Sequence, residues 1–236
     1  MKKSRMFEGL RTWNPQFGCN FHCYRDGCWA KKKLAHRLGT MLNCQLCYDF
    51  KPHFHRERLW RIPSNPKIFV VAHGDLFGNW VPANVIEDIL RVCRAKPKEM
   101  WFFETKNPER YLDFIDLFPE NTMLSTTIET NRVYPPEIRG RTPEPFERVK
   151  AIAKASVLYP VHIAIEPILD FDLDILLKWM KVIRPKKVSV GYDSLKNCLP
   201  EPSIGKTLQL INALTKFTDV ERKDLRGKSP TFFGVM

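Results

Sequence analysis

The 236-residue chain has no apolar run approaching the roughly 20 residues that cross a bilayer, and no apolar core follows its Met1-Lys2-Lys3-Ser4-Arg5 start. Neither a membrane span nor a secretory leader is expected, and the expected location is the cytoplasm. Internal repeats, low-complexity tracts and long linkers are also missing, which leaves one domain over residues 1–236, long enough for a substantial core. Acidic residues are scarce at one end: residues 1–62 hold 4 Asp/Glu against 13 Lys/Arg, whereas residues 63–236 hold 22 against 25. Most of the net charge of +12 therefore lies in the N-terminal quarter. Such a surplus attracts an anionic partner, nucleic acid or a phosphorylated molecule. Lysines solvated on a helix face, as in Lys31-Lys32-Lys33, would give the same letters.

Cysteine is present in an odd number, seven, and five of the seven fall between Cys19 and Cys47. That distribution suits reduced thiols and metal better than a disulfide framework. Cys19, Cys23 and Cys28 crowd into ten residues, after a strand-like segment and before a helix-like one. Three thiolates can hold three corners of an iron-sulfur cube and leave the fourth iron open, as a catalytic metal requires. Structural zinc uses the same residue type, so both readings stand on spacing alone. A second group follows in Cys44-Gln45-Leu46-Cys47, with His53 and His55 close behind. Four such ligands suffice for tetrahedral zinc; His-x-His is shorter than finger spacing, but an extended segment would put both imidazoles on one face. His55, Arg56, Arg58 and Arg61 interleave with Phe50, Phe54 and Trp60, a composition suited to stacking bases and neutralising phosphates, or equally to a packed loop with snorkelling arginines.

From residue 66 onward, short apolar runs alternate with amphipathic stretches, the pattern of β/α units building a parallel sheet. Strands are predicted at 9–13, 67–72, 100–103, 122–128, 161–165 and 187–190. Helices are predicted at 82–93, from an Asn107 cap and Pro108 onward, and at 143–156, 173–183 and 205–217. Six units predict an α/β fold, a partial (β/α)6 TIM-like barrel with an N-terminal iron-sulfur loop. Its reactive groups should gather at the carboxyl ends of the strands. Polar residues do follow each predicted strand: the cysteine loop, His73-Gly74-Asp75, Glu104-Thr105-Lys106, Glu129 with Arg132, Glu166, and Tyr192-Asp193.

Several segments together resemble the radical S-adenosylmethionine (SAM) superfamily and, within it, a widespread family first noted among phage proteins. They are Trp13-Asn14-Pro15 ahead of Gly18-Cys19, Asp75-Leu76-Phe77, Thr105-Lys106-Asn107-Pro108-Glu109-Arg110, Pro119-Glu120-Asn121, Thr127-Ile128-Glu129 with Arg132, and Glu166-Pro167-Ile168-Leu169. The resemblance implies a [4Fe-4S] cluster on Cys19, Cys23 and Cys28, with SAM on the fourth iron. It also implies an external one-electron donor and a 5′-deoxyadenosyl radical acting on a substrate. Gly74 and Asp75 would meet the methionyl amino group, and Glu129 and Arg132 the ribose or carboxylate; Lys106 and Glu166 complete the expected cofactor contacts. The spacing departs from the superfamily's C-x3-C-x2-C, because four residues separate Cys23 from Cys28. Gly27 is expected to turn this longer loop through a positive φ, and Cys44 or Cys47 remains an alternative third ligand. A zinc-stabilised nucleic-acid-binding protein and an iron-sulfur electron carrier are the competing functions.

Overall fold

A computed structural model of the chain describes residues 9–24 and 27–226. Its strands are β1 (Arg11–Trp13), β2 (Gln16–Phe17), β3 (His53–Phe54), β4 (Lys67–Val70), β5 (Met100–Thr105), β6 (Thr122–Thr127), β7 (Val161–Ile165), β8 (Lys187–Val190) and β9 (Asp219–Arg222). The α-helices are α1 (His36–Leu42), α2 (Gln45–Tyr48), α3 (Ala83–Arg94), α4 (Pro136–Arg139), α5 (Pro145–Ala155), α6 (Leu173–Ile183) and α7 (Ile204–Leu214). Seven strands form one sheet in the order β1-β4-β5-β6-β7-β8-β9, every pair parallel, while β2 and β3 make a separate antiparallel pair. Spatial order follows chain order because each helical crossover returns the chain to the next position along the sheet. The result is the expected partial β/α barrel, open between β1 and β9.

The central strands are buried on both faces rather than alternating between buried and exposed residues, as a covered parallel sheet requires. Every residue of β7 and β8 is buried. The outer layer meets them with helical stripes: Ile86, Ile89, Leu90 and Cys93 of α3 recur at helical spacing and are at most 1% exposed. Each such aliphatic side chain contributes on the order of 1.5–3 kcal/mol through burial. An aromatic knot closes the β4–β5 side, where the Phe77 ring lies 4.6–6.4 Å from those of Tyr111, Phe118, Phe103 and Phe114.

Three expectations need correction. A seventh strand, β9, joins the sheet although Asp219-Val220-Glu221-Arg222 carries a single apolar residue; the exposed edge of β8 recruits its backbone, and Lys187 of β8 pairs with Glu221 across the register (3.1 Å). The helix after Asn107 is a 3-10 segment, Pro108–Leu117, interrupted at Phe114. Asn107 does not cap it, because its side-chain amide donates instead to the Phe77 carbonyl (2.9 Å) and to Asn79 Oδ1 (2.8 Å). At the last helix the cap is Ser203, whose hydroxyl accepts the Lys206 amide (3.2 Å). No helix among the described residues is long and apolar enough to cross a membrane.

Phe77 joins the aromatic knot to the loop that leaves β4. Replacing it by alanine is expected to destabilise the protein by about 3–5 kcal/mol in urea unfolding, and Phe77→Leu by clearly less.

Candidate active site

The cysteine loop is fastened to the sheet before it begins. Where β1 ends, the Trp13 indole donates to the Arg58 carbonyl (3.1 Å), Asn14 Oδ1 accepts the His73 amide (3.1 Å), and the Asn14 carbonyl accepts Arg58 Nε (3.1 Å). The Trp-Asn-Pro motif thus ties the exits of β1 and β4 together. Gly18 then runs parallel to Gly74: its amide donates to the His73 carbonyl (3.1 Å) and its own carbonyl accepts the Asp75 amide (3.4 Å). Gly18 has φ +80°, and a Cβ there would stand 2.2 Å from the Lys51 carbonyl oxygen; one on Gly74 would stand 2.7 Å from the Gly18 oxygen. Neither position admits a side chain.

Beyond Gly18, the side chains of Cys19, Cys23 and Cys28 line one cavity of about 290 Å³ with Lys31, Asp49, Phe50 and Lys51. The loop turns through left-handed His22 (φ 53°) and Tyr24 (φ 59°), not through Gly27 as the sequence predicts. Gly27 instead gives room to Asn197: a Cβ would meet that side chain at 2.2 Å and displace the amide that donates to the Gly27 carbonyl (3.1 Å). Burial pushes the Cys19 thiol up, helped by Asp75 and Cys23. Burial also takes the Cys23 thiol up to about 12 despite the nearby Lys106. Thiols so placed ionise only when a cation joins them, which is the behaviour of metal ligands held in a dry pocket. Cys44 and Cys47 are not part of this lining; they meet His53 and His55, with Cys47 Sγ 3.3 Å and 3.2 Å from the two Nε2 atoms.

Two of the sequence motifs interlock beside the cavity. Asp75 Oδ1 accepts the Thr105 hydroxyl (2.6 Å) and the Phe77 amide (3.1 Å), and Oδ2 accepts the Lys106 amide (2.9 Å). Burial nonetheless raises its carboxyl to about 6 against these donors. Arg110 reaches back to the Gly78 and Val81 carbonyls, so the Thr105–Arg110 segment grips the loop that Asp75 starts. Behind them lies a buried charge network. Glu129 receives Lys106, Arg148 (2.7 Å) and the Tyr24 hydroxyl, and Lys106 Nζ also donates to Tyr24 Oη (2.6 Å) and Thr127 Oγ1 (2.7 Å). Burial alone would raise the Glu129 carboxyl, but the Arg148 and Lys106 cations overrule it and hold it well below the usual carboxylate range. Tyr24 thereby links this network to the cysteine loop.

The other candidates are more dispersed. Arg132 is engaged by Asp170 and by both oxygens of Asp172 (2.6 and 3.1 Å), at the edge of a small cavity that Glu129 and Tyr24 also line. Glu166 pairs with Lys223 (2.7 Å). Tyr192 donates to the Pro202 carbonyl (3.1 Å), and Asp193 accepts the Leu195 and Asn197 amides, so both organise the β8 exit loop. Sequence reading misses Tyr24 and Arg148. The second has a signal, since it falls on the apolar stripe of α5 with Pro145, Ile152 and Ala155. It also misses a chain inside the barrel: Ser125 Oγ lies 3.0 Å from Glu104 Oε2 and 2.8 Å from His162 Nδ1, and His162 Nε2 lies 2.8 Å from Ser189 Oγ. Burial takes His162 down to about 3, so it stays neutral.

The Glu129 network generates a pH prediction. A carboxyl depressed in the folded state stabilises above its unfolded value, about 4.3, and that contribution disappears as pH falls through the folded value. Glu129→Gln leaves Lys106 and Arg148 without their counter-charge and is expected to cost about 3–5 kcal/mol at neutral pH. In urea unfolding, the gap between wild type and variant should narrow steadily as the solution is acidified below about pH 4.

Solved structures with this architecture hold SAM. A spore photoproduct lyase variant with bound AdoMet and dinucleoside spore photoproduct superposes with a TM-score of 0.59 at 11% identity, covering 89% of this chain and 75% of that one. Streptococcus suis SuiB bound to precursor peptide SuiA gives 0.57 at 10% identity, over 92% of this chain and 49% of that one. SuiB bound to S-adenosylmethionine gives 0.53 at 11% identity, over 92% and 47%. At such identities the likeness is one of fold, a partial β/α barrel shared with these proteins. No curated protein sequence matches the chain. Residues 8–183 match the profile of the family described as protein of unknown function DUF5131, and the chain belongs to that family.

Proposed function

We propose that the protein is a radical SAM enzyme in which Cys19, Cys23 and Cys28 hold a [4Fe-4S] cluster and SAM takes the open iron. The observation that carries this reading is that these three thiols, and neither Cys44 nor Cys47, line one cavity at the carboxyl ends of a parallel partial barrel. The donor set fits: three sulfur ligands leave a fourth position for a cofactor. When bound, that pair supplies one-electron cleavage of the sulfonium into methionine and a 5′-deoxyadenosyl radical, the electron coming from an external donor.

The chain's own residues bind, orient and shield. Gly18 and Gly74 bring the cysteine loop against the β4 exit, where Gly74 and Asp75 are assigned to the methionyl amino group. Asp75 acts there by gripping the loop, since both its oxygens already accept protein donors. Lys106 and Glu129 form a buried ion pair behind the cysteine loop, joined by Arg148 and by the hydroxyl of Tyr24. Arg132 and Glu166 are ion-paired with protein groups, so ribose or carboxylate contacts from them require an exchange of partners. The substrate is assigned to the anions, nucleic acid included, on the cationic surplus of residues 1–62 and on Lys31 and Lys51 at the cavity.

Anaerobically prepared protein is expected to hold about four iron per chain. After chemical reduction it should release 5′-deoxyadenosine from SAM. Cys19→Ala and Cys23→Ala should each abolish the release, while Cys93→Ala and Cys198→Ala leave it near wild type. Iron without deoxyadenosine would make the protein an electron carrier, and zinc on Cys19, Cys23 and Cys28 would make it a binding module.

A further inference from the structure

We propose that Cys44, Cys47, His53 and His55 form a second metal centre, a closed tetrahedral zinc site that braces the outer wall of the cysteine cavity. The four ligand atoms all lie within 4.8 Å of one another. Cys44 Sγ is 3.5 Å and Cys47 Sγ 3.3 Å from His53 Nε2; His55 Nε2 is 3.2 Å from Cys47 Sγ and 2.8 Å from His53 Nε2. Two sulfurs and two nitrogens around one zinc, at about 2.3 and 2.0 Å from the ion, are separated by roughly 3.3–3.8 Å. The four separations run from 2.8 to 3.5 Å, within that range or a few tenths of an ångström below it, so small side-chain adjustments seat the ion.

The orientation of the imidazoles strengthens the assignment. His53 Nδ1 lies 2.7 Å from the Lys51 carbonyl and His55 Nδ1 lies 2.8 Å from Glu57 Oε1. Both partners are acceptors, so each Nδ1 carries the proton and each Nε2 presents a lone pair to the same point. Two ring nitrogens 2.8 Å apart cannot then bond to each other, and a cation between them resolves the conflict. A carbonyl and a carboxylate behind the two histidines are also the usual outer partners of zinc-bound imidazole.

The local apolar cluster is too small to fix this segment unaided. Its buried members are Phe17, Leu38 and Cys47, with Phe17 against His53 (ring centroids 5.9 Å) and His55 (5.2 Å). Between the paired ligands runs Asp49-Phe50-Lys51, the cavity wall, whose Phe50 carbonyl accepts the Cys19 amide (3.3 Å). With four protein ligands no position is left for a substrate, so the role is structural.

The test is metal analysis of anaerobically purified full-length protein and its variants. Stoichiometric zinc in wild type is expected, lost in Cys44→Ser/Cys47→Ser and in His53→Ala/His55→Ala with iron retained. Cys19→Ser/Cys23→Ser should show the converse, iron lost and zinc kept. Zinc absent from wild type, zinc surviving both double variants, or iron disappearing with Cys44 and Cys47 while wild type holds no zinc would each overturn the proposal. Should the variants fail to fold, cobalt replacing zinc in wild type decides: intense visible bands with thiolate charge transfer support S2N2 tetrahedral coordination, and weak bands of a six-coordinate ion refute it. Because zinc and iron are read separately, failure of this assignment leaves the cluster reading untouched.

Discussion

The contact on which the site depends is the backbone crossing at Gly18. One residue there exchanges hydrogen bonds with His73 and Asp75, packs against the Lys51 carbonyl and hands its chain direction to Cys19. A side chain at Gly18 would stand 2.2 Å from the Lys51 oxygen and one at Gly74 2.7 Å from the Gly18 oxygen, and these main-chain atoms cannot rotate away. The far side of the loop is held in the same manner. Gly140, at φ +71°, lies where a Cβ would meet the Phe21 carbonyl at 2.2 Å, and the Tyr24 and Arg141 amides bond across to Ile138 and Phe21. The cysteine loop is thus clamped between the β4 exit and the α4 turn through main-chain contacts, to which the buried Phe21 and Tyr24 side chains add their own packing.

That economy explains the division of labour among the polar residues. Asp75, Asn107 and Arg110 spend most of their hydrogen-bonding capacity on neighbouring loops and so act as positioning residues. Lys106, Glu129 and Arg148 form a buried triad in which removing any one member exposes the others' desolvation cost. Its value to the fold is therefore geometric more than energetic: two cations on one carboxylate hold Tyr24, and with it the cysteine loop, in a single arrangement.

Much of the fold is legible in the sequence because covered parallel strands must be apolar and the helices between them must carry a stripe. Ile68-Phe69-Val70 and the α3 face satisfy both conditions, and their boundaries fall within a few residues of those predicted. β9 is not legible, since an edge strand is held by backbone bonds and charge pairs that leave no apolar period. The site was half legible. Clustered thiols identify the cavity, but the fate of a carboxylate depends on partners distant in sequence, as when Arg132 finds Asp170 and Asp172 across 38 and 40 residues. His162 is hidden in the opposite way, a polar residue inside an apolar run, satisfied by two serines that only the sheet register brings near.

Five cysteines within 29 residues pose a sorting problem, because any thiolate will take either iron or zinc. The backbone already separates the thiols into two groups. Asn43, with φ 48°, ends α1, and Cys44 opens α2, which turns Cys44 and Cys47 toward the β2–β3 pair where His53 and His55 wait. Cys28 instead heads the helical segment leading into α1, its carbonyl bonded to the Lys32 amide, and so faces the barrel mouth. Mixed nitrogen and sulfur donors with no vacancy suit zinc, whereas three sulfurs around an open cavity suit a cluster that must still bind something else. The two centres proposed above would owe their different character to where one helix ends and the next begins.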